Sequence, residues 1–411
     1  VCDREPITIK AGCGQSRFLR TASTRRLLAT IAGALAVIAG GTAIAVAATG
    51  TGPVPKAQPL AGAVHQALSA PKVSGISANI SFTNNLIDSS DFTGQGSDPI
   101  LQGASGRLWL SNDGRLRIEL QSDNGDAQVV VNQRSFWISD PTQNVVYEGT
   151  LPASRGARHS TSQHPVASIA SIQSFLTRLM GRVNLSGAQP TDVAGRAAYR
   201  VTVSPKHDGG LLGSAQLAWD ATAGVPLQFA IYARGNTTPV VELKATSISY
   251  GAIPASDFNI SPPPGAKVMR VATGDQVSHG DGARPHRTSV TGAEAVAAAV
   301  PFKLVAPSSL VGLPRQRVTL LTMGSQRAAV VSYGENLGGM VVIEHRADSS
   351  ASQTSGGLGG LSLPSVSING AKGQELSTPL GTVLTFTRGG VSYTVLGSVP
   401  ATAAELAARA L

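Results

Sequence analysis

The chain has 411 residues and a formal net charge of +9, with 42% hydrophobic, 14% charged and 4% aromatic residues. That apolar share is enough to build a core, and the length suits two or three domains. Cys2 and Cys13 both precede any foldable segment, which excludes a disulfide framework, a cysteine zinc site and a CxxC redox motif.

The positive charge is concentrated at the start. Arg4, Lys10, Arg17, Arg20, Arg25 and Arg26 outweigh Asp3 and Glu5 and give residues 1–26 a net +4, whereas residues 57–270 and 271–411 carry only +2 each. A nucleic-acid binder needs its basic residues clustered on a folded surface, so the charge implies no nucleic-acid partner. Residues 27–48 (LLATIAGALAVIAGGTAIAVAA) carry no charge; as a helix they would extend about 33 Å, against a bilayer core of about 30 Å. Arginines lie before this run and only Lys56 lies soon after it. The positive-inside rule then makes 1–26 a basic cytoplasmic tail and 27–48 a single-pass transmembrane helix in the cytoplasmic membrane, with the bulk of the chain outside. The competing reading is a signal segment cleaved after Ala45-Val46-Ala47, giving a secreted product. Cys13 lies ahead of the apolar run and cannot be the acylated cysteine of a lipoprotein signal. Residues 49–59 (TGTGPVPKAQP) read as a Pro/Gly linker. Its extended reach of about 40 Å would hold the next domain near the membrane surface.

From 60 to 270 the pattern is almost all strand. A short helix over Leu60–Leu68 comes first, ending before Ser69-Ala70-Pro71. Ser77–Phe82 alternates. Gly106–Leu110 and Arg115–Leu120 flank Ser111-Asn112-Asp113-Gly114, and an Asp-Gly between alternating runs is a hairpin signal. Asp126–Val131, Ser135–Ser139 and Asn144–Tyr147 follow as strands. One helix interrupts them, Ser168–Leu179, with Ile169, Ile172, Leu176 and Leu179 at helical spacing. Strands resume at Ala198–Val203, Ser214–Trp219, Pro226–Tyr232 and Val240–Tyr250, with turns at Asp208-Gly209-Gly210, Ala223-Gly224 and Gly235-Asn236. A sheet of this size must curl, close or be covered at its edges.

The order of these pieces resembles the lipoprotein-carrier superfamily of LolA, LolB and RseB (MucB). The matching residues are Gly106-Arg107-Leu108-Trp109-Leu110, Val129–Val131 leading to Phe136-Trp137-Ile138-Ser139-Asp140, Tyr199–Pro205, Leu217-Ala218-Trp219-Asp220 with Gly224 and Pro226-Leu227, and Phe258–Gly265. The resemblance implies an unclosed antiparallel β-barrel whose hollow apolar face binds an acyl chain of a lipid or lipoprotein. Helices would lie over its opening, with Ile169, Ile172, Leu176 and Leu179 as the lid. Carriers of the family place an Arg-Pro after the Leu-Trp strand. Ser111-Asn112 stand there in this chain, which points away from lipoprotein transfer in particular and leaves lipid or acyl binding.

Residues 271–292 read as a polar linker and 293–411 as a small α+β domain, so the fold class expected is mainly β (α+β). Thr291–Val300 suggests a short helix with Thr291 as N-cap and Glu294 three residues on. Strands follow at Val318–Thr322, Ala328–Tyr333 and Gly339–His345, then a Ser/Gly-rich insertion at Ser349–Gly360. Further strands are expected at Val366–Asn369, Gly373–Thr378, Gly381–Arg388 and Val391–Val399, with a final helix placing Leu406 and Leu411 on an apolar stripe. This half resembles the C-terminal domain of RseB-like proteins and an exported domain of spore-forming and actinobacterial proteins. The carrying residues are Val330-Val331-Ser332-Tyr333, the Thr385–Val399 hairpin, Gly397-Ser398-Val399-Pro400 and the last helix.

The sequence carries no HExxH, GxSxG, P-loop or helix-opening GxGxxG, so no enzyme, cofactor or metal is expected. Gly356-Gly357-Leu358-Gly359-Gly360 follows a polar run and reads as a loop. His159 with His164 and His279 with His286 read as solvated loop histidines, and Asp88/Asp91 and Asp123/Asp126 as turn residues. The strand aromatics Trp109, Phe136, Trp137, Trp219, Phe229 and Tyr232 are either ordinary core or cavity lining. Period-2 alternation puts Leu108, Leu110, Leu116, Ile118, Leu120, Phe136, Ile138, Leu217, Trp219, Phe229 and Ile231 on the concave face, which by the resemblance would be the lipid-binding hollow, and a one-residue slip would invert it. Two function classes follow. One is a binding protein holding an acyl chain. The other, implied by the RseB resemblance, is a regulator that binds a membrane anti-sigma factor and controls its proteolysis.

Overall fold

The computed structural model describes residues 52–86, 103–121, 126–141, 144–151, 167–271, 290–323, 326–347 and 363–411. The expected tail and transmembrane segment, the four loop histidines, Asp88, Asp91, Asp123 and the Gly356–Gly360 run lie outside them. Among the described residues, no helix is long and apolar enough to cross a membrane.

Alternating apolar residues bury one face of a strand, and hairpin turns return the chain beside itself, so successive runs pair antiparallel. Helix α1 (Leu60–Ser69) leads into β1 (Gly75–Asn84), β2 (Gly103–Ser111), β3 (Leu116–Gln121), β4 (Ala127–Asn132), β5 (Ser135–Asp140) and β6 (Val145–Thr150). Helix α2 (Ile169–Leu179) follows, then β7 (Val183–Leu185), β8 (Gln189–Val193), β9 (Arg196–Pro205), β10 (Leu212–Asp220), β11 (Pro226–Ala233), β12 (Pro239–Tyr250) and β13 (Lys267–Val271). These thirteen strands form one sheet in the order β13-β6-β5-β4-β3-β2-β1-β12-β11-β10-β9-β7, with β8 also on β9. The order is an open path, not a ring, so the sheet curls without closing.

Each expected strand of this half is present, usually longer by one to four residues. The Asp113-Gly114 turn forms as read, with Gly114 at φ +85°. Three strands went unread: β7, β8 and β13. The sheet is antiparallel as expected, except that the edge strand β13 pairs parallel to β6. The parallel pairing follows from the route of the chain. After β12 it crosses beneath the sheet through Phe258–Gly265 and arrives at the far edge in the same direction as β6.

The second half is an eight-stranded sheet in the order β14-β15-β16-β17-β21-β20-β19-β18. Its strands are β14 (Ser309–Leu310), β15 (Leu313–Met323), β16 (Gln326–Tyr333), β17 (Met340–Arg346), β18 (Ser365–Ile368), β19 (Ala371–Thr378), β20 (Gly381–Arg388) and β21 (Val391–Gly397), with helices α3 (Ala293–Ala299) and α4 (Ala401–Ala410). Two local expectations are corrected. The N-cap of α3 is Gly292, with no side-chain bond, because Thr291 is taken into a bridge with Thr319. In α4, Leu406 is 55% exposed; the buried stripe is Ala404, Ala407, Ala408 and Leu411. Small residues there let the helix approach the sheet closely, and Leu406 falls on the outer side.

Candidate functional site

Strand register decides which side chains share a face of the large sheet. Leu108 on β2 stands opposite Ile118 on β3, Ile118 opposite Val129 on β4, Val129 opposite Ile138 on β5 and Ile138 opposite Tyr147 on β6. A second row runs Leu110, Leu116, Val131, Phe136, and a third passes through Gly106, Leu120 and Ala127. On the other side of β1, Phe82 faces Leu243 on β12, Leu243 faces Phe229 on β11, Phe229 faces Leu217 on β10 and Leu217 faces Val201 on β9. Ile231 faces Val241, and Trp219 faces Tyr199. The strands thus bring together on one side all eleven residues named from the sequence.

Cover over that face is uneven. Helices α1 and α2 lie on its β9–β10 end, where Leu60, Ala63, Val64, Ile172 and Leu176 pack on Tyr199, Val201, Leu217 and Trp219 in one cluster. Leu60 and Leu176 are fully buried there, and Leu217 and Trp219 are 8% and 2% exposed. Leu108, Leu110, Leu116, Ile118, Leu120, Phe136, Ile138, Phe229 and Ile231 are only half-buried. Of the four residues of α2 read as a lid, Ile172 and Leu176 reach the core, Leu179 is half-buried and Ile169 is 51% exposed. Phe175, not singled out from the sequence, is 41% exposed on the same helix. The N-terminus of α2 is held by Ser168, whose Oγ accepts from the Ser171 N–H at 3.2 Å.

Just ahead of α1, Lys56 and Gln58 are held against the sheet. The Tyr199 hydroxyl donates to the Lys56 carbonyl at 2.7 Å and accepts from the Gln58 amide at 2.9 Å. Tyr199 thereby ties the start of α1 to β9. Its phenol is raised above its usual range by burial, against the Gln58 bond.

The opposite face is locked by polar and stacking contacts. Arg117 lies 4.8 Å over the Trp109 ring, pairs with Glu119 and donates to the Asp257 carbonyl at 3.1 Å. Arg115 lies 5.0 Å over Phe258. Ile260 and Ala266 pack on Val130, Trp137 and Val146. The Phe258–Gly265 motif is therefore a strap anchored by Phe258, which is 1% exposed. A shallow cleft of about 320 Å³ opens beside it, lined by Trp137, Asn132, Ser135 and residues 258–262. Its polar side chains are partly engaged with each other, Asn132 Nδ2 donating to Asn259 Oδ1 at 2.7 Å. Trp109 and Trp137 thus belong to this packed side and not to the half-buried apolar face.

The Trp219-Asp220 motif also has a local cause. Asp220, 1% exposed, accepts from the N–H groups of Thr222 and Ala223 at 2.8 and 2.9 Å. It also accepts from Arg196 at 2.8 Å and from the Tyr250 hydroxyl at 2.8 Å. Burial alone would raise its carboxyl, but these donors together hold it below the usual carboxylate range. Gly224 in the same turn has φ +67° and meets the end of α1, where a Cβ would overlap the Ala67 carbonyl. Asp220 is structural: it fixes the β10–β11 turn against α1. Among the described residues, no group of three or more His, Cys, Asp or Glu is placed to hold a metal ion.

No protein-family model matches the chain, and no curated protein matches it. Among solved structures it is similar to the Pseudomonas aeruginosa MucA/MucB complex, at 17% identity and a TM-score of 0.39, covering 85% of this chain and 96% of that one. It is similar to MucB alone at 18% identity and a TM-score of 0.35, covering 84% and 95%. A putative outer membrane lipoprotein-sorting protein domain from Vibrio parahaemolyticus aligns at 10% identity and a TM-score of 0.17, covering 48% and 94%. At these identities and scores the likeness carries no argument about function.

Proposed function

We propose that the chain is an exported, membrane-anchored binding protein that holds an acyl chain of a lipid or lipoprotein on the half-buried apolar face of its large sheet. The reading rests on one observation. Rows of Leu, Ile, Val and Phe run across the sheet, yet α1 and α2 cover only its β9–β10 end, leaving Leu108, Leu116, Ile118, Leu120, Phe136 and Ile138 half-buried. An acyl chain gains about 0.8 kcal/mol for each CH₂ removed from water, so such a face needs no charged partner to hold one. Anchoring by residues 27–48 is part of the proposal, since an acyl chain could then enter from the nearby membrane without crossing much water. The test is mass spectrometry of the organic extract of the purified chain, together with titration by a fluorescent fatty acid. Co-purified lipid and saturable uptake are expected; an empty protein with no uptake overturns the reading.

A second reading is a regulator that grips the outer part of a membrane anti-sigma factor and controls its proteolysis. The observation favouring it is the second, fully cored sheet docked to the first, which acyl binding by itself does not require. Pull-down of the tagged chain from crosslinked membranes separates the two: an anti-sigma factor supports regulation, and lipid or lipoproteins alone support acyl binding.

A further inference from the structure

The loop between β9 and β10, Lys206–Leu211, touches two things at once. On one side it meets the end of α2. The Lys206 N–H donates to the Arg182 carbonyl at 3.2 Å, and Lys206 Nζ donates to the Met180 carbonyl at 3.1 Å. Met180 is the C-cap of α2, so the ammonium also sits at the negative end of the helix dipole. On the other side the loop meets the small sheet. The Leu211 N–H donates to the Ser398 carbonyl and to Ser398 Oγ, both at 3.0 Å. The Gly338 N–H donates to the Asp208 carbonyl at 3.2 Å. Ser398 follows β21, and Gly338 precedes β17, two strands adjacent at the centre of that sheet.

The loop has little slack. Asp208 Oδ1 accepts from the Gly210 N–H at 2.9 Å and from Arg234 at 3.1 Å, and the Arg234 N–H donates to the Leu211 carbonyl at 2.7 Å. Gly210 lies at φ +62°, and a Cβ there would overlap the Ser398 carbonyl. A Cβ on Gly338 would overlap the Asp208 carboxyl. The contact between loop and sheet is thus made at two glycines, Gly210 against Ser398 and Gly338 against the Asp208 carboxyl.

We infer that Lys206–Leu211 is a coupling loop, through which the position of α2 and the seating of the small sheet bias each other. Helix α2 is suited to move. It is eleven residues long, it enters the core only through Ile172 and Leu176, and Ile169 and Phe175 stay exposed. Its C-terminus cannot shift without pulling on Lys206, and Lys206 lies in a loop whose other bonds run to Ser398 and Gly338 of the small sheet and to Arg234 after β11. Coupling of this kind is reciprocal, so loosening the small sheet is expected to loosen α2 as well. Resting on the acyl-binding proposal, the inference assigns the loop a use: an occupant of the open face that extends to Phe229 and Ile231 on β11, next to the strands α2 covers, reports its presence to the second sheet.

The test is hydrogen–deuterium exchange of the full chain, following segments 169–182 and 396–400. Its first arm needs no ligand. Gly338→Ala and Ser398→Ala each perturb the loop from the small-sheet side without touching α2, and Ser398→Ala introduces no overlap. Exchange at the C-terminal turn of α2 is expected to rise on the order of three- to tenfold in both variants. Unchanged exchange in 169–182 while 396–400 loosens overturns the coupling. The second arm adds a fluorescent fatty acid to the parent chain. Bound probe is expected to change exchange at 396–400, and Gly338→Ala is expected to abolish that response. Probe that binds without altering 396–400 overturns the coupling. Probe that fails to bind overturns the acyl-binding reading instead, and the first arm still decides the loop.

Discussion

The two sheets are built from the same alternating pattern and use it differently. In the small sheet, α3, α4 and the chain over 301–308 lie on one face, and Val331, Val342, Leu384 and Val395 beneath them are fully buried. In the large sheet the corresponding Leu and Ile residues on β2, β3 and β5 remain half-buried, because α1 and α2 reach only β9 and β10. Alternation makes an apolar face, and what is laid over that face decides whether it becomes a core or a surface able to take an occupant.

Substitution should separate the two faces. Leu384→Ala in the small sheet is expected to cost about 3–4 kcal/mol, a transfer loss plus a cavity loss. Ile118→Ala on the open face removes a side chain already half in water, and about 1 kcal/mol is expected. Chemical denaturation of the full chain measures both; equal costs would mean that the open face is as well packed as the core.

Acid and base should also act on the two sheets differently. Glu344 is fully buried in the small sheet. Its Oε2 accepts from the Val305 N–H at 2.9 Å, and its Oε1 has no hydrogen-bond partner. Burial pushes its carboxyl up to about 7, from an ordinary value of 4.5, against the Val305 bond. The Tyr333 phenol beside it is raised to about 12, by burial and by the Glu344 charge. The folded sheet therefore holds a proton that the unfolded chain gives up earlier. Its contribution is full below pH 4.5, falls between 4.5 and 7, and is lost above 7. About 3 kcal/mol is at stake by that shift. Denaturation of the small sheet across this window should show the decline, and Glu344→Gln should flatten it. A parent chain with no such slope would contradict the account.

A smaller effect is expected at the β10–β11 turn. Asp220→Ala removes the acceptor of two N–H groups, Arg196 and Tyr250, and about 2–3 kcal/mol should be lost. Because the turn holds α1, exchange in Leu60–Ser69 should rise with it. A loss confined to the turn would show that α1 is held elsewhere.

Much of this was legible in the sequence. The hairpins were readable because each alternating run is bounded by turn residues such as Asp113-Gly114 and Gly235-Asn236. The shared face of Leu108, Ile118, Ile138 and Phe229 followed from period-2 spacing once the register was right. Other features were not readable. β7 has three residues and β13 five, too short for a period, and the pairing of β13 depends on where the Phe258–Gly265 strap delivers it. Helix α4 misled because its buried stripe is alanine, which propensity favours in a helix whichever side it faces. The extent of cover by α1 and α2 is a property of packing, and no spacing along the chain encodes it. Nor did any motif mark Lys206–Leu211, whose Asp208-Gly209-Gly210 reads as an ordinary turn until Ser398 and Gly338 are found against it.

The central claim is that the uncovered face takes an acyl chain. The most direct measurement is titration of the folded chain with a fluorescent fatty acid, beside the variant Ile118→Asp, which puts a charge within the row from Leu108 to Tyr147. Saturable uptake by the parent chain is expected, displaced by unlabelled lipid and reduced at least about tenfold in the variant, since a carboxylate in an apolar site costs more than 1.4 kcal/mol. No saturable uptake by the parent chain, or equal uptake by both, would contradict it.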